Sequence, residues 1–238
     1  MNLVNLLENA AVDWTIMAGS IVMLLAYEGY LFLVGRTSPM KIARSAHAEI
    51  RARWVISVMG RPGAEILVIQ TIRNSVMAAS FMASTAVIAL TGTLTLSGLG
   101  NVDNPPWQVS ALTGQQVSGV VMAAKLILLA LIFFFSFMFS MMAVRFFNHA
   151  GYLITIEMGS DPGRRHTLST NYLNRAGYQY SMGLRTFFMC IPILASLFST
   201  WIMPLATLLL IIVLYQFDRI PEEWFDERRA RKTDSATV

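Results

Sequence analysis

A carboxylate inside an apolar run is the first residue here whose type and place could do chemistry. Glu28 stands in GSIVMLLAYEGYLFLVG, eight residues before Arg36, which is about 12 Å along a helix. At that depth in lipid its charge must be paired, wetted or removed by protonation. Arg73 and Arg185 flank other apolar runs and could reach it from the same boundary. Two readings follow: a proton- or cation-sensitive site, or a structural ion pair. Lys125 lies about eight residues into another apolar run. It could hold an anion or a lipid phosphate, or its stem could snorkel to the nearer interface as an anchor. Lys125 and Glu28 belong to different depths and are not expected to pair.

A metal site is the third possibility. His149 in FNHAGY follows Met138, Met141 and Met142, and thioethers suit copper(I). His47 and His166 lie in basic loops without ligand spacing such as HxxxH, so haem or copper would lack further ligands. Methionine is common here, with 15 in the chain, and its flexible side chain fills helix interfaces. Packing is therefore the simpler reading, and no cofactor is expected beyond bound lipid. No Gly-rich phosphate loop, HExxH or GxSxG occurs, and no two carboxylates fall within one membrane region; the expectation is a non-enzyme.

The elements that position these residues are membrane spans. The chain has 238 residues, 55% hydrophobic and 13% charged, against roughly 25% charged in a soluble domain. A span needs about 20 mainly apolar residues. Residues 14–35, 75–96 and 117–144 qualify, and 184–217 is too long for one upright span and short for two. The last stretch is either one long crossing or a tight hairpin around Ser199–Thr200, which Pro192 and Pro204 would help to break. The hairpin, or a re-entrant segment, is preferred. The first 13 residues carry no Lys or Arg, so the first run is read as a retained span and not a signal peptide. The single Cys190 builds no disulfide framework.

Charge orients the spans. Residues 36–73 hold seven basic residues and 145–185 hold five, ends included, while 97–116 holds none and contains NPPW. Basic loops stay cytoplasmic, which predicts a bacterial inner-membrane, multi-pass protein with its amino terminus outside. Between the first two spans, Ile42, Ala46, Ile50, Trp54 and Val58 recur every four residues beside Lys41, Arg44, Arg51 and Arg53. That pattern predicts a helix lying in the headgroup layer or packed on its own protein. RPG at 61–63 then breaks the chain before one long helix from Ala64. The expected fold is all-α, a polytopic helical membrane protein with four or five membrane segments, an interfacial helix and long helices projecting into the cytoplasm. Residues 1–218 form the membrane domain and 219–238 a charged tail. In that tail Glu222, Glu223, Asp226 and Glu227, with Asp218 just before them, read as a solvated acidic run, followed by RRARK. These acids would repel phosphate, so nucleic acid is not an expected partner.

The run IQTIRNSVMAASFMASTAVIAL opens with Gln70, Arg73 and Asn74. At a span's cytoplasmic entry Arg73 can snorkel to phosphates. Farther in, Ala79 and Ala83, with Ser80 and Ser84, put small residues at four-residue spacing, which lets another helix approach closely. IQTIRNSVMAASFMASTA, with RARWV upstream, FNHAGYLI at 147–154 and GLR at 183–185, resembles the uncharacterised integral-membrane family called domain of unknown function 599, found in bacteria and plants. The resemblance covers roughly residues 14–218 and rests most on QTIRN. It implies a multi-spanning helical architecture and no catalytic residues.

The leading functional expectation is a non-enzymatic homo-oligomer or accessory subunit of a larger membrane complex, partnered by lipid and by itself or other membrane subunits. The alternatives are a small-solute or ion channel or transporter using Glu28, Lys125 and Arg73, and a redox subunit with His149.

Overall fold

The computed structural model describes residues 3–37, 43–59, 61–97, 119–156 and 162–219. Within them the chain is all-α. Seven helices follow in order: α1 (Leu3–Thr37), α2 (Ala43–Met59), α3 (Glu65–Leu96), α4 (Gly119–Thr155), α5 (Pro162–Phe188), α6 (Cys190–Phe198) and α7 (Ile202–Asp218). The NPPW segment, Lys41, Ile42, the acidic run from Glu222 to Glu227 and RRARK lie outside the described residues.

Four apolar stretches are long enough to cross a membrane: Ala11–Thr37, Glu65–Leu96, Gly119–Thr155, and Gly163–Phe198, which joins α5 to α6. Only 22% of the apolar window of α1 and of α3 is buried against the protein, but 39% of that of α4. Helix α4 is accordingly the central post, with α3 on one side and α5 on the other. The outer faces keep Phe81, Ile88, Leu25 and Phe32 exposed, an arrangement that suits a lipid solvent and not water.

The breaks have local causes. Ala64 N–H donates to Arg61 O across Pro62–Gly63 (3.3 Å), with Gly63 at φ +82°. Proline presets the first turn residue, and the positive φ favours glycine at the second. Between α5 and α6 the ladder stops at Met189. Pro192 has no N–H to offer the Phe188 carbonyl, and its ring crowds that carbonyl. Pro204 sits in the first turn of α7, where the missing N–H costs nothing.

Helices α6 and α7 form the hairpin, turning at Ser199–Trp201. Arg185 and Asp218, at its two feet, are within hydrogen-bonding distance, so both arms end at the same end of the bundle. Helix α2 packs on α5 through Ala43, Val55 and Val58, leaving Ile50 (41%) and Ile56 (58%) exposed. The four-residue stripe is only partly its buried face. Each four-residue step advances 400°, so such a stripe drifts about 40° around a 3.6-residue helix.

Candidate functional site

Three helices meet at a buried charge cluster. From α5, Arg185 donates through Nη1 to Asp218 Oδ1 (2.7 Å) and through Nη2 to Asp218 Oδ2 (3.0 Å). From α1, Glu28 Oε1 accepts from Arg185 Nε at 3.2 Å and lies 3.1 Å from Nη2. Tyr27 Oη, also on α1, donates to Asp218 Oδ2 (2.8 Å). The Arg185 side chain is 8% exposed, Asp218 13% and Glu28 26%. One guanidinium thus binds two carboxylates, and the paired fork on Asp218 gives direction as well as charge.

Sequence reasoning placed Arg185 within reach of Glu28, and the two are joined. Two expectations are corrected. Asp218 is not the first residue of a solvated run, and two carboxylates do share one site. Helix α7 carries Asp218 back to the level of Arg185, and the hydrophobic ends of α1 and α7 shield it beside Tyr27, Leu31 and Leu214. Tyr27 was missed as well. The signal for Asp218 was the length of the returning arm, 17 residues, close to the run from Arg185 to Phe198 and so able to bring the feet together.

Arg73, the rival partner for Glu28, is exposed with Gln70 and Asn74, and lines an open cavity with Tyr152 and Asn148 between α3 and α4. Ala79 and Ala83 are buried (0% and 4%) in the face of α3 that meets α4, with Ala86 one turn on (0%). Ser80 and Ser84 are exposed.

Lys125 corrects the anchoring expectation. Its side chain is fully buried, and Nζ donates to Ser196 O and Thr200 Oγ1, both at 3.1 Å. The ammonium points into the bundle, onto the last turn of α6 and the hairpin turn. There it satisfies a carbonyl that has no helical partner and complements the negative end of α6. Helices α4 and α5 also meet closely beside the charge cluster, two residues before Arg185. Ser136 Oγ donates to Gly183 O (2.9 Å), and a Cβ on Gly183 would stand 2.9 Å from Ser140 Oγ.

His149 is exposed and its ring lies 6.5 Å and 6.0 Å from those of Tyr152 and Tyr172. Met138 and Met141 are 42% and 44% exposed, and Met142, seven residues before His149, lies about 10 Å away along the axis. These residues do not share one coordination sphere.

The family model described as "Protein of unknown function, DUF599" matches residues 15–222. The chain belongs to this family. The match takes in α3 with its QTIRN stretch, and reaches past Asp218, so the whole charge cluster lies within the family region. The DUF599 description assigns no activity, and it therefore gives no role to Arg185, Glu28 or Lys125. No curated protein and no solved structure matches the chain.

A second group of cations adjoins the cluster. Arg44, His47 and Arg51 of α2 line a cavity of about 450 Å³ that reaches Arg185 and Asp218. Arg51 Nε donates to Asn174 Oδ1 (2.9 Å). Arg44 stacks over Tyr178, with Cζ 5.2 Å from the ring centroid. Burial lowers the His47 imidazole below its ordinary value, with the Arg51 charge adding to the effect. Burial lowers Arg51 too, but a guanidinium stays protonated at any physiological pH.

Proposed function

We propose that this is a non-enzymatic, multi-pass protein of the bacterial cytoplasmic membrane, amino terminus outside, that moves an ion or small solute past its Arg185–Glu28–Asp218 cluster. One observation carries the reading: the depth of that cluster. Along α1, Glu28 is eight residues from Arg36, about 12 Å. Along α4, Ser136 touches the residue two before Arg185 and is nine residues from Arg145, about 13 Å. Two helices independently set the charges about 12–13 Å inside the basic boundary of a hydrocarbon layer about 30 Å thick. Ionisable groups at that depth are rare, and those that occur mark ion or proton paths. The cluster sits at the feet of a hairpin of broken helices, a construction that membranes tolerate where backbone is buried or lines a cavity.

The basic connectors support the orientation. With Arg185 and Asp218 level, α7 ends in the cytoplasmic half of the layer in this reading. The test is flux in proteoliposomes loaded with a pH-sensitive dye under imposed proton, potassium and chloride gradients. Flux above that of empty liposomes, changed by Glu28→Gln, supports the reading; wild-type liposomes that leak no faster than empty ones refute it.

A second reading rests on α3. Ser80 and Ser84 repeat at four residues on an exposed face, a small-residue surface that could admit a helix from another copy or another subunit. Mass measurement in mild detergent tests it: a monomer with no stoichiometric partner removes it.

A further inference from the structure

We propose that the cavity between α2, α5 and α7 holds the phosphate headgroup of an anionic membrane lipid, with Arg51 and Arg44 on the phosphate and the lipid's apolar stem against α7. The proposal is separate from transport, since a resident lipid requires no flux.

Four features of the cavity point to this occupant. The first is charge. Arg44 and Arg51 have no carboxylate within ion-pairing distance among the described residues. Asp218, the acid on the cavity wall, is already held by both terminal nitrogens of Arg185 and by Tyr27. Partly buried guanidinium groups left without a counter-charge favour an anion.

The second feature is preorganisation. A Cβ on Gly177 would stand 2.7 Å from Arg51 Cζ and Nη1, so the guanidinium lies against the bare backbone of α5. With Nε committed to Asn174, its terminal nitrogens remain for a ligand. Arg44 is likewise positioned, by the Tyr178 ring and by Met182 Sδ at 4.0 Å, neither of which neutralises it.

Polarity changes along the cavity, which is the third feature. Away from the arginines the wall is Leu184, Phe188, Leu214 and Phe217, and Phe217 is 69% exposed on the outer face of α7. An apolar wall opening on the lipid-facing side suits an acyl stem and not a wholly hydrated ion.

Depth is the fourth. Gly177 precedes Gly183 by six residues, about 9 Å towards the basic boundary. Arg51 thus sits near headgroup level and the apolar wall below it, which is the order of groups in a phospholipid. The volume, about 450 Å³, accommodates a glycerophosphate with the first methylenes of its chains, within the usual range for a small-molecule site. Basic pockets at this level between membrane helices suit anionic headgroups.

Native mass spectrometry of the full chain in mild detergent, titrated with phosphatidylglycerol or phosphatidylcholine, tests the proposal. Phosphatidylglycerol should bind at one copy per chain, at least tenfold more tightly than phosphatidylcholine. Arg51→Gln should weaken it about tenfold, the loss of one charge-assisted contact, while exposed Arg61→Gln leaves it unchanged. Gly177→Ala separates site from scaffold: alanine is the better helix former, yet its methyl displaces the Arg51 fork, so binding should fall severalfold without loss of thermal stability. Equal affinity for both lipids, or phosphatidylglycerol binding indifferent to Arg51→Gln and Gly177→Ala, overturns the proposal. So does full displacement of the lipid by millimolar inorganic phosphate, which would make a soluble anion the occupant.

Discussion

Replacing Arg185 with methionine leaves Glu28 and Asp218 facing each other with no cation between them. The geometry ranks what each member of the cluster contributes. Breaking a buried ion pair by removing one partner costs about 3–5 kcal/mol, and Arg185, 8% exposed and bound to two carboxylates, should fall in that range. Asp218→Asn keeps the shape and one acceptor but loses the charge beneath a two-point contact at 2.7 and 3.0 Å, so about 2 kcal/mol is expected. Glu28 offers a single oxygen and is 26% exposed; Glu28→Gln should cost about 1 kcal/mol. Tyr27→Phe removes one hydrogen bond, about 1 kcal/mol. Thermal unfolding in mild detergent, followed by tryptophan fluorescence, reads the series. At about 2–4 °C per kcal/mol for a chain of this size, Arg185→Met should melt roughly 10 °C below wild type. Arg175, an exposed arginine of the same helix, is the control. If Arg185→Met unfolds within 1 kcal/mol of Arg175→Met, the cluster does not bind α1, α5 and α7 together and the argument from its geometry fails.

Other elements give separate checks. Lys125→Met should loosen the hairpin turn by leaving Ser196 O and Thr200 Oγ1 without their shared donor, increasing protease or hydrogen-exchange access around 196–201; unchanged exchange there would show that the lysine does not hold the turn. Gly183→Val overpacks the α4–α5 contact, where even a Cβ meets Ser140 Oγ at 2.9 Å, and should cost about 1–3 kcal/mol in the same unfolding assay. His47 has a folded value below its unfolded one, so the unfolded state binds the proton more readily, and stability should decline as pH falls from above about 6.5. Arg44, Arg51 and Arg185 across the cavity oppose the new charge and Asp218 favours it; a pH profile that His47→Gln leaves unaltered would exclude the imidazole as its source.

Much of this architecture was legible because lipid imposes length. The apolar runs, the RPG break and the two prolines gave the helices, and counting from Arg36 put Glu28 well inside its run, within reach of Arg185. What counting cannot give is rotation about an axis. Ala79 and Ala83 face α4 while Ser80 and Ser84, one residue on, are exposed; the two pairs have the same spacing and differ by 100° of turn. Lys125 was given the wrong direction, because what covers it is a turn 71 to 75 residues later. Asp218 was hidden for a different reason: it adjoins an acidic run in sequence, and only the return of α7 brings it beside Arg185.

The position of Lys125 sharpens the contrast between the two polar layers. It precedes Arg145 by 20 residues on one continuous helix, about 30 Å, which is the thickness of the hydrocarbon layer itself. If Arg145 marks the inner boundary, Lys125 and the hairpin turn lie at the outer one, where exposed Trp201 (73%) suits the interface. The Arg185 cluster then stands near mid-depth on the inner half, and the α2 cavity rises from it towards the inner headgroups. Lys125 can therefore be explained by the cost of ending a helix at the far boundary, and its loss should be felt first as instability. The Arg185 cluster has no such boundary to serve. Hydrophobic side chains could have joined α1, α5 and α7 at that depth without the cost of desolvating three charges, so the cluster is where a functional defect separable from stability should be sought, and Glu28→Gln, the mildest change to it, is the variant that can show one.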